Sequence, residues 1–256
     1  SMQPAEFVKV IAAIFLARYF TDYARALHQW RHLLLSGVGV SVFILLILAE
    51  PDFGSASIYF LLWLLMVFAI GIPLKRTLTI FGVMFGLIAF AWFFFFQPYQ
   101  RERLLTFVSA SQNVQGAGYH ITQSLVAVGS GGFFGKGFGE GSQSQLRFLP
   151  AAETDFVFSV IAEEFGLLGI ALFFGAWVLF FYRCFCAARG APDNFGAMLA
   201  IAITIIFGIQ FFMNVAMTVG LFPVTGVTLP LVSYGGSALL THLIFVGILL
   251  GVIRHR

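Results

Sequence analysis

Residues 195–253 read FGAMLAIAITIIFGIQFFMNVAMTVGLFPVTGVTLPLVSYGGSALLTHLIFVGILLGVI, which is 59 positions without a Lys, Arg, Asp or Glu. No soluble protein surface tolerates so long a stretch without charge. A membrane-spanning helix needs about 20 mostly apolar residues, so this stretch can supply two. A break between them is marked by Gly220, Pro223, Gly226 and Pro230, and we therefore predict helices at about 195–218 and 231–253.

The composition of the whole chain extends this conclusion. Of its 256 residues, 60% are hydrophobic and 10% are charged, against about 25% charged in a soluble domain. A secreted scaffold, a DNA-binding domain and a disordered tail are excluded. The 14 Lys and Arg residues are scattered in ones and twos, which does not favour a nucleic-acid partner.

Other apolar windows complete the architecture. They lie at 33–49, 53–74, 77–100 and 165–182, with a weaker one at 5–20 that carries charges near its ends. The sequence therefore predicts an all-α polytopic membrane protein with about seven transmembrane helices, forming a single domain over 1–256.

The distribution of basic residues predicts the orientation. If the loops at 21–32, 75–76 and 183–194 and the C-terminal tail face the cytoplasm, with Arg18 at the boundary, that side holds nine of the 14 basic residues, as the positive-inside rule requires. The C-terminus is then cytoplasmic and residue 1 lies outside. Since polytopic proteins more often start in the cytoplasm, we expect one or three further helices before residue 1.

A long extracytoplasmic loop at 98–155 interrupts this compact plan. It holds nine of the chain's 27 glycines, and loops of this length are usually functional. Its short apolar run Ile121–Val128 predicts a re-entrant or interfacial helix. The glycine spacing fits neither the P-loop nor the dinucleotide-binding template, so a nucleotide site is not expected.

Acidic residues follow this loop. Asp155 lies where the loop meets an apolar run, and Thr154 is a candidate N-cap that would place Asp155 in the first helical turn. Both a capping role and a chemical role are open. Glu163 and Glu164 lie about two turns deeper, where acids usually face a bundle interior, so one could line a cavity while the other pairs with a neighbouring helix.

Cations on the outer side could meet these acids. Arg101, Arg103 and Lys136 lie in the loop and Lys9 in the outer half of the first helix. Such cations suit the phosphates of a substrate or of lipid headgroups equally well.

Eight ordered motifs resemble those of the SEDS family, which comprises RodA, FtsW and SpoVE. They cover essentially the whole chain: QPAEFVK (3–9), EPDFG (50–54), YQRER (99–103), GAGYH (116–120), GSGG with GKG (129–132 and 135–137), SQSQL (142–146), TDF (154–156) and PLVSYGGS (230–237). Residues 118–120 and 237–239 lean towards the RodA, or cell-elongation, branch.

The resemblance implies a bacterial peptidoglycan glycosyltransferase with a ten-helix fold. Such a protein lies in the cytoplasmic membrane and polymerises lipid II, the undecaprenyl-pyrophosphate-linked disaccharide peptide. It works with a class B penicillin-binding protein, a single-span transpeptidase, in the elongation or division machinery. The chain corresponds to the C-terminal seven helices of this fold.

The resemblance also assigns site residues. Asp155 matches the family's essential acid and is the expected general base. Lys9, Arg101, Arg103 and Lys136 are expected to bind the pyrophosphate. The remaining predicted substrate-binding residues are Gln143, Gln145, Glu153, Ser233 and Tyr234.

The cofactor expectation follows from the same chemistry. No nucleotide cofactor is required, because the donor carries its own leaving group, and no residue is assigned as a resident metal ligand. Glu153 stands where the family usually has His, and a second carboxylate so near Asp155 could help to hold a divalent ion such as Mg²⁺ or Mn²⁺.

Two other functions fit the same residues. A lipid II flippase would also use intramembrane acids, but its key charges should lie near the midplane, where Glu163 and Glu164 come closer than Asp155. An inert scaffold would only bind the partner's helix, on Phe-rich faces of the helices at 156–182 and 195–218.

Overall fold

The structure is a computed structural model that describes residues 3–24, 29–50, 52–71, 75–76, 78–80, 82–83, 86, 117–145, 151 and 153–254. This part of the chain is helical and contains no strand. Its helices are α1 (Pro4–Asp22), α2 (Trp30–Leu48), α3 (Phe53–Ala69), α4 (Ala117–Ser130), α5 (Ser142–Gln145), α6 (Val157–Arg189), α7 (Asn194–Thr218) and α8 (Gly236–Arg254).

Four of these helices, α2, α6, α7 and α8, are long and apolar enough to cross a membrane, and α3 is a shorter apolar helix. The predicted all-α polytopic class is confirmed. The weak window at 5–20 forms α1, and the predicted apolar run at 121–128 forms the centre of α4. The predicted span at 77–100 lies mostly outside the described residues, as does much of the loop 98–155, so the count of seven spans stays a prediction.

Two helices begin at aspartate caps. The carboxylate of Asp52 accepts a hydrogen bond from Ser55 N at 2.9 Å before α3, and that of Asp193 accepts one from Gly196 N at 2.9 Å before α7. Each carboxylate satisfies a backbone donor that the first helical turn leaves unpaired. These caps explain why α3 and α7 begin close to their predicted positions.

Helix α7 lies at the centre of the bundle, with α1, α3, α6 and α8 packed around it. Its Ile203, Ile206 and Phe207 are completely buried. On α1 the buried face includes Ala12 and Ala13, whose small side chains let two helix backbones approach closely. This packing holds the ends of the helices in register.

The segments predicted to be cytoplasmic meet at one end of the bundle. The guanidinium of Arg76 lies 5.9 Å from the ring centroid of Trp30, and the Thr21 hydroxyl donates to the carbonyl of Asn194 at 3.4 Å. The loops at 21–32, 75–76 and 183–194 therefore share one side, as their charges require.

The segments predicted to be outside meet at the other end. The amide of Gln3 donates to the carboxylate of Asp52 at 3.3 Å, and the N–H of Tyr234 donates to the carbonyl of Glu153 at 2.9 Å. We call this end the outer end; it carries the candidate site.

The predicted start of the last helix at 231 is wrong by five residues. The N–H groups of Val232 and Ser233 both donate to the carbonyl of Leu229, and Leu231 has a φ of +61°. This turn keeps the backbone out of the helical conformation until Gly236. A left-handed residue inside an apolar run leaves no trace in hydropathy, so the sequence pattern placed the helix too early.

Candidate active site

Asp155 lies in a tight turn immediately before α6. The carbonyl of Ala151, a residue with a φ of +53°, accepts hydrogen bonds from the N–H groups of Thr154, Asp155 and Phe156 at 3.1, 3.0 and 3.3 Å. The expected capping role of Thr154 is wrong. Helix α6 starts at Val157, and the hydroxyl of Thr154 donates back to Ala151 at 3.3 Å.

This turn is held by hydrogen bonds from α7 and from the outer loop at 219–235, which we call the α7–α8 loop. The side-chain amide of Asn214 donates to the carbonyl of Asp155 at 2.9 Å and to that of Val227 at 2.8 Å. The Ser233 hydroxyl donates to the carbonyl of Thr154, and Tyr234 N donates to that of Glu153. Three consecutive carbonyl groups are thus fixed from one side.

The carboxylate of Asp155 is half-buried and points along the α7–α8 loop. Its Oδ2 atom lies 3.6 Å from the position that a Cβ would take on Gly226, a residue with a φ of +71°. Glu153 is exposed beside it, and the Tyr234 side chain is 77% exposed. A ligand at the outer end can therefore reach the carboxylate between these groups.

Ser233 holds the site together. Its hydroxyl donates to Thr154 and accepts the N–H of Leu229 at 2.8 Å, and the residue is buried. Ser233 and Tyr234, predicted as substrate-binding residues, both contact the turn that carries Asp155. Tyr234 offers an exposed surface and Ser233 fixes the backbone.

Lys136 lies in a second cluster with Glu163. Its Nζ atom is 2.7 Å from Oε1 of Glu163, which is completely buried, and it donates to the Ser142 hydroxyl at 2.8 Å. The same oxygen accepts from Ser142 Oγ at 3.2 Å and from Gln143 N at 3.1 Å. Glu163 is paired, as expected for one of the two deep acids, but its partner is Lys136 of the outer loop and not a neighbouring helix.

Lys9 is paired inside the bundle. Its Nζ atom lies 2.5 Å from Oε1 of Glu6, and both residues are buried. Arg101 and Arg103 lie outside the described residues. Gln145 belongs to α5, and nothing is described of its side chain.

Asn214 is the site residue that sequence reasoning missed. It is completely buried in α7, within an apolar run of the sequence. A buried side-chain amide must find hydrogen-bond partners, and here the partners belong to two separate loops. The signal available in the sequence was a strongly polar side chain in a membrane-length helix, which usually marks an interior contact.

The described residues offer few ligands for a metal ion. No three His, Cys, Asp or Glu side chains gather within this part of the chain. Asp155 and Glu153 are the two carboxylates in the turn before α6, so a divalent ion held here would need water or substrate oxygens to complete its coordination.

Known proteins match this chain along its whole length. A family model described as "Cell cycle protein", covering FtsW, RodA and SpoVE, matches residues 1–256.

Several curated relatives align along the chain. Peptidoglycan glycosyltransferase MrdB of Escherichia coli K12 is 37% identical over 259 residues, covering 99% of this chain and 68% of that protein. Stage V sporulation protein E of Bacillus subtilis is 35% identical, covering 100% and 69%. The chain thus spans about two thirds of the length of these relatives.

Two solved structures share the fold. One comes from a structure described as "Structural coordination of polymerization and crosslinking by a peptidoglycan synthase complex". Its TM-score is 0.76 and its sequence identity is 29%, and the match covers 100% of this chain and 70% of that chain. The other is the rod shape determining protein RodA of Thermus thermophilus, with a TM-score of 0.64 and 29% identity over 100% and 66%.

Proposed function

Because the chain belongs to the FtsW, RodA and SpoVE family of cell cycle proteins, we propose that it is a peptidoglycan glycosyltransferase in which the carboxylate of Asp155 acts as general base. The observation that carries this proposal is the setting of Asp155 at the outer end. Its backbone is fixed by Asn214, while its carboxylate is only half-buried. A general base needs this combination of fixed position and reach.

The relatives support the class of reaction. MrdB of Escherichia coli is named a peptidoglycan glycosyltransferase, and FtsW of Trichlorobacter lovleyi, 37% identical over 98% of this chain, is named a probable one. The substrate we propose is lipid II, whose isoprenoid tail lies in the bilayer and whose sugars lie at the outer surface. Polymerisation during cell elongation is the role that the RodA-like motifs favour.

The proposed step is a displacement at the anomeric carbon of the donor sugar. A hydroxyl group of the acceptor sugar transfers its proton to Asp155 as its oxygen forms the new bond. The bond from the anomeric carbon to the pyrophosphate breaks, and the pyrophosphate leaves with its electron pair.

Fixed cations must stabilise the charge that develops on the leaving group. Arg101 and Arg103 keep this proposed role. Lys136 and Lys9 are each paired with a glutamate, so we assign Lys136 to positioning the outer loop and Lys9 to the bundle interior. Gln143 and Tyr234 remain the proposed contacts to the sugars.

A divalent ion has a defined place in this scheme. Mg²⁺ or Mn²⁺ would be held by Asp155 and Glu153, with water and the pyrophosphate as further ligands, and would supply charge neutralisation for the leaving group. The proton transfer itself is proposed to use the carboxylate of Asp155 and does not require the ion.

The proposed partner is a class B penicillin-binding protein. The relative of known structure that belongs to a peptidoglycan synthase complex supports a partner with crosslinking activity. The surface we propose for its helix is the part of α6 nearer its C-terminal end, where Gly175 and Val178 are exposed. We place the protein in the bacterial cytoplasmic membrane, with the Arg76 and Asn194 end facing the cytoplasm.

Lipid transport is the alternative function, suggested by the position of Glu163 and Glu164 deep in the bundle. A flippase needs charges that can meet a headgroup near the midplane. Glu163, one of the two candidates, is bound to Lys136 and to the backbone of Gln143, which leaves one oxygen for any other partner. This pairing favours the enzyme.

The experiment that tests the proposal separates the two activities. Full-length protein, with its partner, is assayed for polymerisation of purified lipid II with Mg²⁺ or Mn²⁺, and in vesicles for lipid II flipping. We expect polymerisation by the parent protein and none by Asp155→Asn. Flipping without polymerisation, or glycan strands from Asp155→Asn at the parental rate, would overturn the proposal.

A further inference from the structure

Helix α6 is broken at Gly166, where the backbone takes φ +64° and ψ −162°. The break interrupts the helical hydrogen bonds, so the carbonyls that end the first half and the N–H groups that start the second half need other partners. In a lipid environment an unpaired backbone group is costly. The segment at 131–141, which we call the glycine loop, supplies those partners.

Four backbone hydrogen bonds dock the glycine loop into the break. Lys136 N and Gly137 N donate to the carbonyls of Glu163 and Glu164 at 3.0 and 3.1 Å. In return the N–H groups that open the second half, of Leu167 and Leu168, donate to the carbonyls of residues 132 and 133 at 3.0 and 3.2 Å. Loop and helix therefore form one continuous backbone network.

Glycine is required where the two backbones meet. A Cβ on Gly131 would lie 2.0 Å from the carbonyl oxygen of Ala162, and a Cβ on Gly135 would lie 2.1 Å from that of Glu164. A Cβ on Gly166 would lie 2.3 Å from the nitrogen of Gly135. These contacts fix the glycine loop at the level of the break.

The level of the break follows from the length of the second half of α6. Residues 167–189 make a helix of about 34 Å, which suffices to cross a hydrocarbon core of about 30 Å. The basic residues Arg183 and Arg189 stand at the opposite, predicted cytoplasmic, end of this half. The break at Gly166, and the glycine loop with it, therefore lies at the outer boundary of the hydrocarbon.

The glycine loop presents phenylalanine rings at this level. Phe134 is 79% exposed and Phe138 is 84% exposed, with Phe133 beside them. The ring centroid of Phe138 lies 6.0 Å from that of Phe165 on α6. This phenylalanine patch, residues 133, 134, 138 and 165, continues directly into the exposed leucines 167, 168 and 172 of the spanning half.

The glycine loop carries two charges. Lys136 directs its Nζ atom to the buried Glu163, and the exposed Glu140 has its carboxylate beside Gly137, so within the described part of the chain no cation lies among the exposed rings. An apolar patch of this kind marks contact with a partner or a membrane. Its position at the outer boundary of the hydrocarbon, at the level of the break, favours phospholipid acyl chains.

We propose that the glycine loop is an interfacial anchor, with Phe133, Phe134 and Phe138 inserted among the acyl chains of the outer leaflet. The anchor also sets the height of Asp155 above the hydrocarbon core; this second part of the inference rests on the proposed function. The first half of α6, residues 157–165, is about 13 Å long, so Asp155 lies at most roughly this far above the hydrocarbon. The headgroup layer is about 5–8 Å deep, so the carboxylate lies within this layer or a few ångström above it, at the level of the head of a lipid-linked sugar.

The depth of the loop can be measured without any activity. In full-length protein with Cys184 and Cys186 replaced by Ala, single nitroxide labels are attached at Phe134→Cys and Phe138→Cys in lipid nanodiscs. Leu172→Cys, exposed on the spanning half of α6, is the lipid standard. Pro192→Cys, exposed in the connection before α7, is the water standard.

Labels at 134 and 138 are expected to be more accessible to oxygen than to a water-soluble nickel complex, as at 172. Accessibility to nickel like that at 192 would overturn the anchor, while leaving the proposed enzyme untouched. Labels that become protected only when the transpeptidase partner is added would also overturn it, because the patch would then be a protein interface.

A double variant tests whether the anchor sets the height of Asp155. Phe134→Ser combined with Phe138→Ser is expected to lose polymerisation in bilayers and to retain it in detergent, where no surface defines a height. Parental polymerisation in both bilayers and detergent would overturn this part of the inference, and so would the same loss of polymerisation in both.

Discussion

The neutral side chain of Asn214 organises the candidate site. Its single amide nitrogen donates hydrogen bonds to the carbonyls of Asp155 and Val227. These two residues lie 72 positions apart in the chain. Each carbonyl would otherwise be a buried acceptor without a partner, which costs about 1–3 kcal/mol. Asn214 thereby links the position of the proposed base to the fold of the α7–α8 loop.

Asn214→Leu keeps the approximate side-chain volume and removes both hydrogen bonds. We expect a lower thermal unfolding temperature and a loss of polymerisation, because the turn that carries Asp155 is released. Thr204→Val on the same helix is the control, since the bonds it removes, to the carbonyl of Ala200 at 2.6 Å and with the side chain of Cys184 in α6, lie away from the site. A parental rate in Asn214→Leu would contradict the positioning role.

Lys136 can be tested through its partner. Lys136→Met leaves the carboxylate of Glu163 buried and unpaired, which should cost on the order of 3 kcal/mol and lower the unfolding temperature. Combining it with Glu163→Leu removes the stranded charge, so stability and polymerisation should recover together. A double variant that is stable but inactive would instead place Lys136 on the substrate.

For individual residues, the sequence indicated which segments form the candidate site better than it indicated the role of each side chain. The motifs around Asp155 and around Ser233 and Tyr234 were expected to work together, and the structure brings them into direct contact. The cations Lys136 and Lys9 were assigned to phosphate, but both are paired with acids. Pairing depends on helix contacts that one sequence does not reveal.

At the level of secondary structure, the central feature is the broken helix α6 and the loop that completes it. The apolar window at 165–182 lies within α6, a candidate membrane span that extends from Val157 to Arg189, because hydropathy reports which residues can meet lipid. It could not predict the break, since Gly166 stands between Phe165 and Leu167 in a run that is uniformly apolar. Backbone conformation at a single glycine has no hydropathy signal.

Gly166→Ala tests this junction. The new Cβ would meet the backbone of Gly135 and would require a left-handed conformation that alanine rarely adopts. We expect poor folding yield and a reduced unfolding temperature. Gly129→Ala in α4 is the control, because its Cβ would meet nothing within 4 Å, and it should be neutral or slightly stabilising. Similar behaviour of the two variants would contradict the docking of loop and helix.

The whole molecule is a bundle with two chemically distinct ends. The charge count predicted which loops share a side, and contacts such as Thr21 with Asn194 and Gln3 with Asp52 agree with that grouping. The outer end collects the polar hydrogen-bonded turns that hold Asp155. The opposite end carries most of the basic residues, so by the positive-inside rule we expect the proposed site at the outer surface.

The proposed partner surface makes a prediction at this scale. Gly175 faces open space, because a Cβ added there would meet no atom within 4 Å, whereas Gly208 faces Phe181 of the same chain. Gly175→Leu should therefore weaken co-purification with the transpeptidase and leave the unfolding temperature unchanged. Gly208→Leu should disturb the packing of α6 on α7 and lower that temperature. Unchanged co-purification of Gly175→Leu would contradict a partner site on this face.

The most direct test of Asp155 as general base compares its rate with its binding. Lipid II polymerisation and lipid II affinity are measured on the same full-length preparation of the parent protein, Asp155→Asn and Glu153→Gln. The account predicts a rate lower by about 10²–10⁴-fold in Asp155→Asn, with affinity and unfolding temperature retained, and a smaller effect in Glu153→Gln. A parental rate in Asp155→Asn, or a loss of rate explained wholly by lost affinity, would contradict it.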